Sequence, residues 1–292
     1  MTERRRGVLF GITAYALWGL FPLYWPLLRP AGAVEILSHR VTWSLLFTLI
    51  LMSRHRSFDW LRAIGWRRFG LLAIAATLVS VNWGIYIYGV NHGHVVETSL
   101  GYFINPLVSV ILGVVFLGER LRRGQWIAVG LAAAAVLVLT VDYGRPPWIA
   151  IGLALTFGLY GFVKKKAAVA AVPSLTVETS LVFLPAVAYL VFLDAQGHGT
   201  FLHVSRAHDL LLVACGVVTA VPLLCFAAAA NRVPLTTIGL LQYIAPVLQF
   251  LCGVVVFREA MPASRWIGFT LVWISLAVSS GESYLHHRAK RL

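Results

Sequence analysis

Apolar runs of about 18 to 23 residues, broken by short polar or basic stretches, divide the chain into ten segments: 7–28, 35–52, 69–91, 98–117, 124–141, 147–163, 174–193, 209–230, 236–257 and 265–283. A helix rises 1.5 Å per residue, so runs of that length match the ~30 Å hydrocarbon core of a bilayer. The pattern predicts an all-α polytopic membrane protein with ten transmembrane helices. Composition narrows this further. Of the 292 residues, 59% are hydrophobic and 12% charged, and the mean hydropathy is +0.82. Soluble domains carry about 25% charged residues and could not cover this much apolar surface. Arg4 to Arg6 followed by an apolar stretch imitates a signal peptide, but the run from Gly7 to Leu28 exceeds the usual h-region of about 7 to 15 residues. It is read as the first transmembrane helix.

The net charge of +13 would suggest nucleic acid in a soluble chain. Here the basic residues cluster between apolar runs, so their expected role is topological and no nucleic-acid partner is expected. With the N-terminus in the cytoplasm, the inner positions hold Arg4 to Arg6, Arg54, Arg56, Arg62, Arg67, Arg68, Arg120, Arg122, Arg123, Lys164 to Lys166, Arg232, Arg288, Lys290 and Arg291, which is 18 of the 24 Lys and Arg. The outer positions hold Arg29, Arg145, Arg206, Arg258 and Arg265, and Arg40 lies within a helix. Both termini are therefore expected inside, and the bilayer is the first partner.

The chain also repeats itself. SLGYFINPLVSVILGVVFLGERLRRGQW from Ser99 to Trp126 returns as GLLQYIAPVLQFLCGVVVFREAMPASRW from Gly239 to Trp266. Asn91 and Asn231, Pro106 and Pro246, Gly113 and Gly253, Glu119 and Glu259, and Trp126 and Trp266 all stand 140 positions apart. Two related halves are predicted, 1–146 and 147–292. Five helices per half is an odd number, so the second copy enters the membrane from the opposite side. Inverted repeats of this kind mark secondary transporters, although some channels share them.

GITAYALWGLFPLYWPLL, EILSHRVTWSLLFT, NWGIYIYGVNHGHVVETSLGYFINPLVSVILG and GLLQYIAPVLQFL together resemble the RarD branch of the EamA family, within the drug/metabolite transporter superfamily. The resemblance covers nearly the whole chain. It implies a ten-helix permease of the bacterial inner membrane made of two EamA repeats. Such proteins are similar to exporters of amino acids and other metabolites, and the branch carries a predicted link to chloramphenicol resistance. The resemblance implies no settled catalytic motif and no particular substrate.

Glu35, His39 and Arg40 form the densest polar cluster within an apolar segment. Glu35 and His39 are four apart and share a helix face, so they can pair, whereas Arg40 points about 140° away from Glu35 at 100° per residue. Ionisable groups at membrane depth cost at least ~2.5 kcal/mol each and usually face a partner or an aqueous cavity. A proton relay or a clamp for a substrate carboxylate is one reading. The other is that the cluster, within two turns of the outer surface, lets Arg40 snorkel to headgroups while the pair fixes the helix. Glu178 holds a similar place near the start of the seventh helix, with Val182 and Phe183 in place of His39 and Arg40.

Asn82, Trp83, Tyr86 and Tyr88, with Tyr102, Phe103 and Asn105, make an aromatic and amide surface whose counterparts in the second half include Gln242, Tyr243 and Gln249. Amides cannot be left facing lipid, so helix neighbours or a central cavity must satisfy them. Tyr15, Trp18 and Tyr160 are weaker members of the same wall. Pro106 and Pro246 each remove an intrahelical hydrogen bond and are expected to break or bend a helix near mid-membrane, by a substrate site or as static kinks. Gly7 with Gly11, and Gly89 with Gly93, have spacing that allows close helix approach. Glu119 and Glu259 are assigned a structural role in a shared turn. His92, His94 and Glu97 are read as a solvated outer loop, with a pH-sensitive gate as the alternative. His198, His203 and His208 have spacings that suit no metal motif, and Cys215, Cys225 and Cys252 read as buried thiols.

No G-x-S-x-G, H-E-x-x-H, paired intramembrane carboxylates or Walker-type loop occurs, so neither an intramembrane enzyme nor a self-powered pump is expected, and no cofactor or metal is called for. The function predicted is secondary-active export of a small metabolite or drug-like molecule, with protons as a coupling ion suggested by Glu35 and His39. A passive channel or facilitator is the alternative.

Overall fold

The computed structural model describes residues 2–55, 65–117, 123–167, 169, 171–230, 232–233 and 241–289. Among them the chain is helical: α1 Glu3–Gly19, α2 Phe21–Tyr24 with a tight 3-10 turn Trp25–Leu28, α3 Ala33–His55, α4 Trp66–Asn91 and α5 Val95–Leu117. α6 Arg123–Tyr143, α7 Trp148–Ala167, α8 Ala171–Ala195, α9 Arg206–Ala230, α10 Ile244–Leu251 with a π-turn Cys252–Val256, and α11 Ala263–Ala289 follow. Helices overlie all ten apolar segments. Among the described residues, five stretches are long and apolar enough to cross a bilayer alone: Ala33–Ser53, Trp66–Asn91, Arg123–Tyr143, Pro173–Ala195 and Arg206–Phe226. Counting the bent pair Glu3–Gly19 and Phe21–Leu28 as one span makes six. The expected ten spans are not confirmed by length: among the described residues, the apolar stretches Trp148–Lys164, Ile244–Val256 and Ala263–Val278 are shorter.

The first segment departs from the sequence reading. It is not one straight helix but bends by 44° at Leu20. Pro22 and Pro26 explain the bend: Pro is accepted in the first turn of a helix and not in its interior, so the chain restarts at Phe21 and tightens at Trp25. Pro246 is not mid-helix either. α10 begins two residues before it, where the missing N–H has no intrahelical partner to lose. Residue 106 lies inside α5, and its side chain is outside the described residues, as are Gly113, Glu119, Arg120, Arg122 and Asn231.

Counterpart helices of the two halves pack antiparallel. At the ends of α6 and α11, Arg265 Nε donates to Asp142 Oδ2 at 2.7 Å and Ser264 Oγ donates to Asp142 Oδ1. Deeper in, a Cβ on Gly268 would lie 2.6 Å from Leu139 Cγ, and further still Ser275 Oγ donates to the Ala128 carbonyl at 2.6 Å. The same crossing joins α5 to α10. Glu259, just past the π-turn, accepts from the backbone N–H groups of Val95 at 2.5 Å and Val96 at 3.0 Å, while Phe250 packs into one cluster with Leu100 and Phe103. Gly7 and Gly11 are where α1 meets the second half, a Cβ at either coming within 2.6 Å of Arg232 Cβ or Leu241 Cδ1. Gly89 is equally tight against Thr98, but Gly93 serves a turn instead, at φ +73°.

Candidate functional site

The polar residues of α3 part company. Glu35 is buried, and its Oε1 accepts from the Thr200 backbone N–H at 2.7 Å and from Thr200 Oγ1 at 2.9 Å. Thr200 in turn lies 2.9 Å from His208 Nε2. Glu35 therefore ties α3 to the segment between α8 and α9 and does not pair with His39. His39 turns to its own helix: its Nδ1 accepts from Trp43 Nε1 at 3.2 Å, and its ring sits 4.9 Å from that of Phe201. His39 Nε2 is buried without a partner among the described residues.

Arg40 faces the opposite way, as the helical wheel requires, and it does not snorkel. It lies seven residues into α3, about 10 Å along the axis, and is 3% exposed. Its guanidinium rests on Trp83 at 3.7 Å from the ring centroid, with Trp25 at 5.2 Å and Phe21 at 5.6 Å. Aromatic faces attract a cation, and three of them from α2, the 3-10 turn and α4 form a cradle. Arg40 Nε donates to Thr219 Oγ1 on α9 at 2.9 Å, and Nη1 has no partner among the described residues. Among the described residues, no carboxylate lies within ion-pair distance of this guanidinium.

Asn82, Tyr86 and Tyr102 join this neighbourhood. Asn82 Nδ2 donates to the Leu153 carbonyl at 3.0 Å and to Thr156 Oγ1 at 2.8 Å, and Tyr102 OH donates to Asn82 Oδ1 at 3.2 Å. The Tyr86 and Tyr102 rings meet edge to face at 5.6 Å, and the buried Tyr86 hydroxyl has no partner. Trp25, Tyr86 and Tyr102 belong to one packed cluster with Phe21 and Cys215. Gln249 Nε2 reaches the Trp18 carbonyl at 3.3 Å.

The expected wall does not close around all its members. Tyr243 packs into the separate cluster of α5, α6 and α11, and a Cβ on Gly158 of α7 would lie 3.4 Å from Asn105 Oδ1. Tyr102 meets Asn82 and Tyr86 of α4 and Phe157 of α7, so these contacts lie within the first half and its neighbour α7.

Carboxylates near the chain reversals carry structure that spacing did not reveal. Glu97 is not in a solvated loop. It is buried in the first turn of α5, accepting from Arg145 Nη2 at 2.9 Å and from the Ile149 N–H at 3.1 Å. Burial lifts Glu259 above the usual carboxylate range, against the pull of its two amide donors, and burial lowers His94. Glu259→Ala leaves two helix N-terminal donors bare and is expected to cost ~1 to 2 kcal/mol, read by thermal unfolding in detergent, with Glu259→Gln losing less. A second missed group lies among α7 and α8. Glu178 Oε1 accepts from Lys164 Nζ at 2.6 Å and from Ser174 Oγ at 2.5 Å, and its Oε2 from Tyr160 OH at 3.1 Å. Lys164 had registered only as a topological charge, and a run of three lysines gives no sign that one turns inward.

Long apolar helices closing around buried polar side chains define a multi-pass membrane protein. The EamA-like transporter family model matches twice, over residues 5–141 and 146–281, and the chain belongs to that family. It is 54% identical over 291 residues to Protein RarD of Streptomyces exfoliatus, covering 99% of this chain and 92% of that one. It is 44% identical over 279 residues to Protein RarD of Escherichia coli, at 94% coverage of each. Chloramphenicol-sensitive protein RarD of Pseudomonas aeruginosa is 31% identical over 297 residues, at 98% of each. A solved crystal structure with a TM-score of 0.59 and 21% identity covers 95% of this chain and 98% of its own, a likeness of fold alone.

Proposed function

We propose that this protein is a secondary-active transporter of the bacterial inner membrane that works by alternating access. It exports a small metabolite or drug-like molecule. Its ten helical segments form ten spans in two inverted five-helix repeats, 1–146 and 147–292, with both termini in the cytoplasm. The observation that carries this reading is the antiparallel pairing of counterpart helices, α6 with α11 and α5 with α10, in a chain that matches a transporter family once in each half. Two halves related by inversion can exchange roles about a shared centre.

The positive-inside pattern places the reversals at 92–94, 144–147 and 257–262 outside. The ties between halves at that end, Glu35 with Thr200, Asp142 with Arg265, and Glu259 with Val95 and Val96, then close the outer side. Opening outwards must break them. A link to chloramphenicol handling is suggested by the name of the Pseudomonas relative.

Metabolites inside and outside cells with and without the protein are compared first, and the compound retained in cells lacking it is loaded into proteoliposomes. Flux is expected to saturate and to respond to an imposed proton gradient. Linear flux that ignores the gradient would show a channel, and no flux would remove the transporter reading. Glu35→Gln and His39→Ala are each expected to reduce gradient-driven flux by roughly tenfold, about 1.4 kcal/mol in the barrier. Unchanged flux in both would take Glu35 and His39 out of the coupling.

A further inference from the structure

Arg40 is a fixed cation buried in the bundle with no carboxylate beside it among the described residues. An isolated charge in a low-dielectric interior is costly unless paired, and one hydrogen bond to Thr219 with three aromatic faces does not neutralise it. The surroundings are short of acceptors as well. Arg40 Nη1, the Tyr86 hydroxyl and Trp25 Nε1 are all buried and have no partner among the described residues. Trp25 touches the guanidinium and Tyr86 lies within its electrostatic reach, in the same packed cluster as Trp25. A guanidinium with a free N–H and no anion, in one cluster with two further donors lacking acceptors, offers what a carboxylate needs, whose two oxygens accept about four hydrogen bonds between them.

We propose that Arg40, Tyr86 and Trp25 form the subsite for the carboxylate of a small organic acid whose apolar or aromatic body lies along Trp83 and Phe21. A single cation suits a monoanion, and a phosphate dianion would leave a buried negative charge. The cradle is aromatic on three sides, so a flat apolar body fits where a polyol would lose its water without replacement. This deepens the transporter reading and rests on it for the word substrate. The subsite itself can be tested by binding alone.

The full-length protein in detergent is titrated with phenylacetate, its neutral amide phenylacetamide, phenethylamine and inorganic phosphate, following tryptophan fluorescence and the unfolding temperature. Phenylacetate is expected to quench saturably and to raise the unfolding temperature, with at least tenfold weaker effects from the other three. Arg40→Met is expected to abolish the response while unfolding at a higher temperature than the unliganded parent, since a buried unpaired charge is gone. Arg40→Lys should weaken binding about tenfold, because the ammonium lacks the planar fork, and Tyr86→Phe several-fold. Equal responses to the acid and its amide on the parent protein overturn the proposal whatever the variants do. So does phosphate matching phenylacetate, or Arg40→Met binding within twofold of the parent. Binding that follows this pattern in a protein that carries no flux keeps the subsite and removes the transporter. Saturable flux with no charge selectivity does the reverse.

Discussion

Gly216→Val is expected to give a protein that unfolds at a markedly lower temperature, by about 3 kcal/mol, and binds no ligand at Arg40. A Cβ at 216 would lie 2.5 Å from both the carbonyl carbon and oxygen of Trp43 and 2.8 Å from its Cβ. The obstacle is helix backbone, which cannot rotate aside as a side-chain tip can. α3 and α9 must separate, at the ~1 to 3 kcal/mol typical of overpacked interiors. Arg40 and Thr219 each stand three residues from this contact on the two helices, so their 2.9 Å bond breaks with it, adding roughly 1 kcal/mol or more for a bond to a charged donor. Gly161→Ala is the control, since its Cβ would meet nothing within 4 Å. If both variants unfold with the parent, α3 and α9 do not touch at Gly216.

The second large effect is at Glu178. Its carboxylate is 1% exposed and serves three donors, Lys164, Ser174 and Tyr160. Lys164 is only 21% exposed, so Glu178→Ala strands an ammonium and two hydroxyls that water reaches poorly. Breaking a buried pair from one side costs about 3 to 5 kcal/mol, whereas replacing both partners by apolar groups can be neutral. The double variant Lys164→Met, Glu178→Leu is therefore expected to recover most of the loss. Thermal unfolding of the two singles and the double gives the coupling. Additive losses would mean that the two side chains do not act as a pair.

Both effects depend on which helices touch, and that is where reading the sequence stopped. The apolar segments were legible because a helix that crosses a bilayer must be apolar over most of its length. The helical wheel also separated Glu35 from Arg40, since 100° per residue is a local property. Pro246 marks a weak point without saying whether the helix bends there or begins there, and α10 begins two residues before it. Glu97 was misplaced because Arg145 lies 48 residues away and no local spacing connects them. Tyr243 and its repeat counterpart Phe103 share one packed cluster, whereas Tyr102 packs into another, so adjacent positions on one helix serve different neighbours.

The sequence by itself determined the membrane class, the doubling of the chain and its family, because each follows from hydropathy, spacing and residue identity read along one dimension. Only the tertiary structure decided that Glu35 would be taken up by Thr200, 165 residues distant, and that Arg40 would be left in an aromatic cradle with no counter-charge beside it among the described residues. Helices in a bundle choose partners by the fit of whole faces. Those choices depend on every other helix at once, and no stretch of the chain records them.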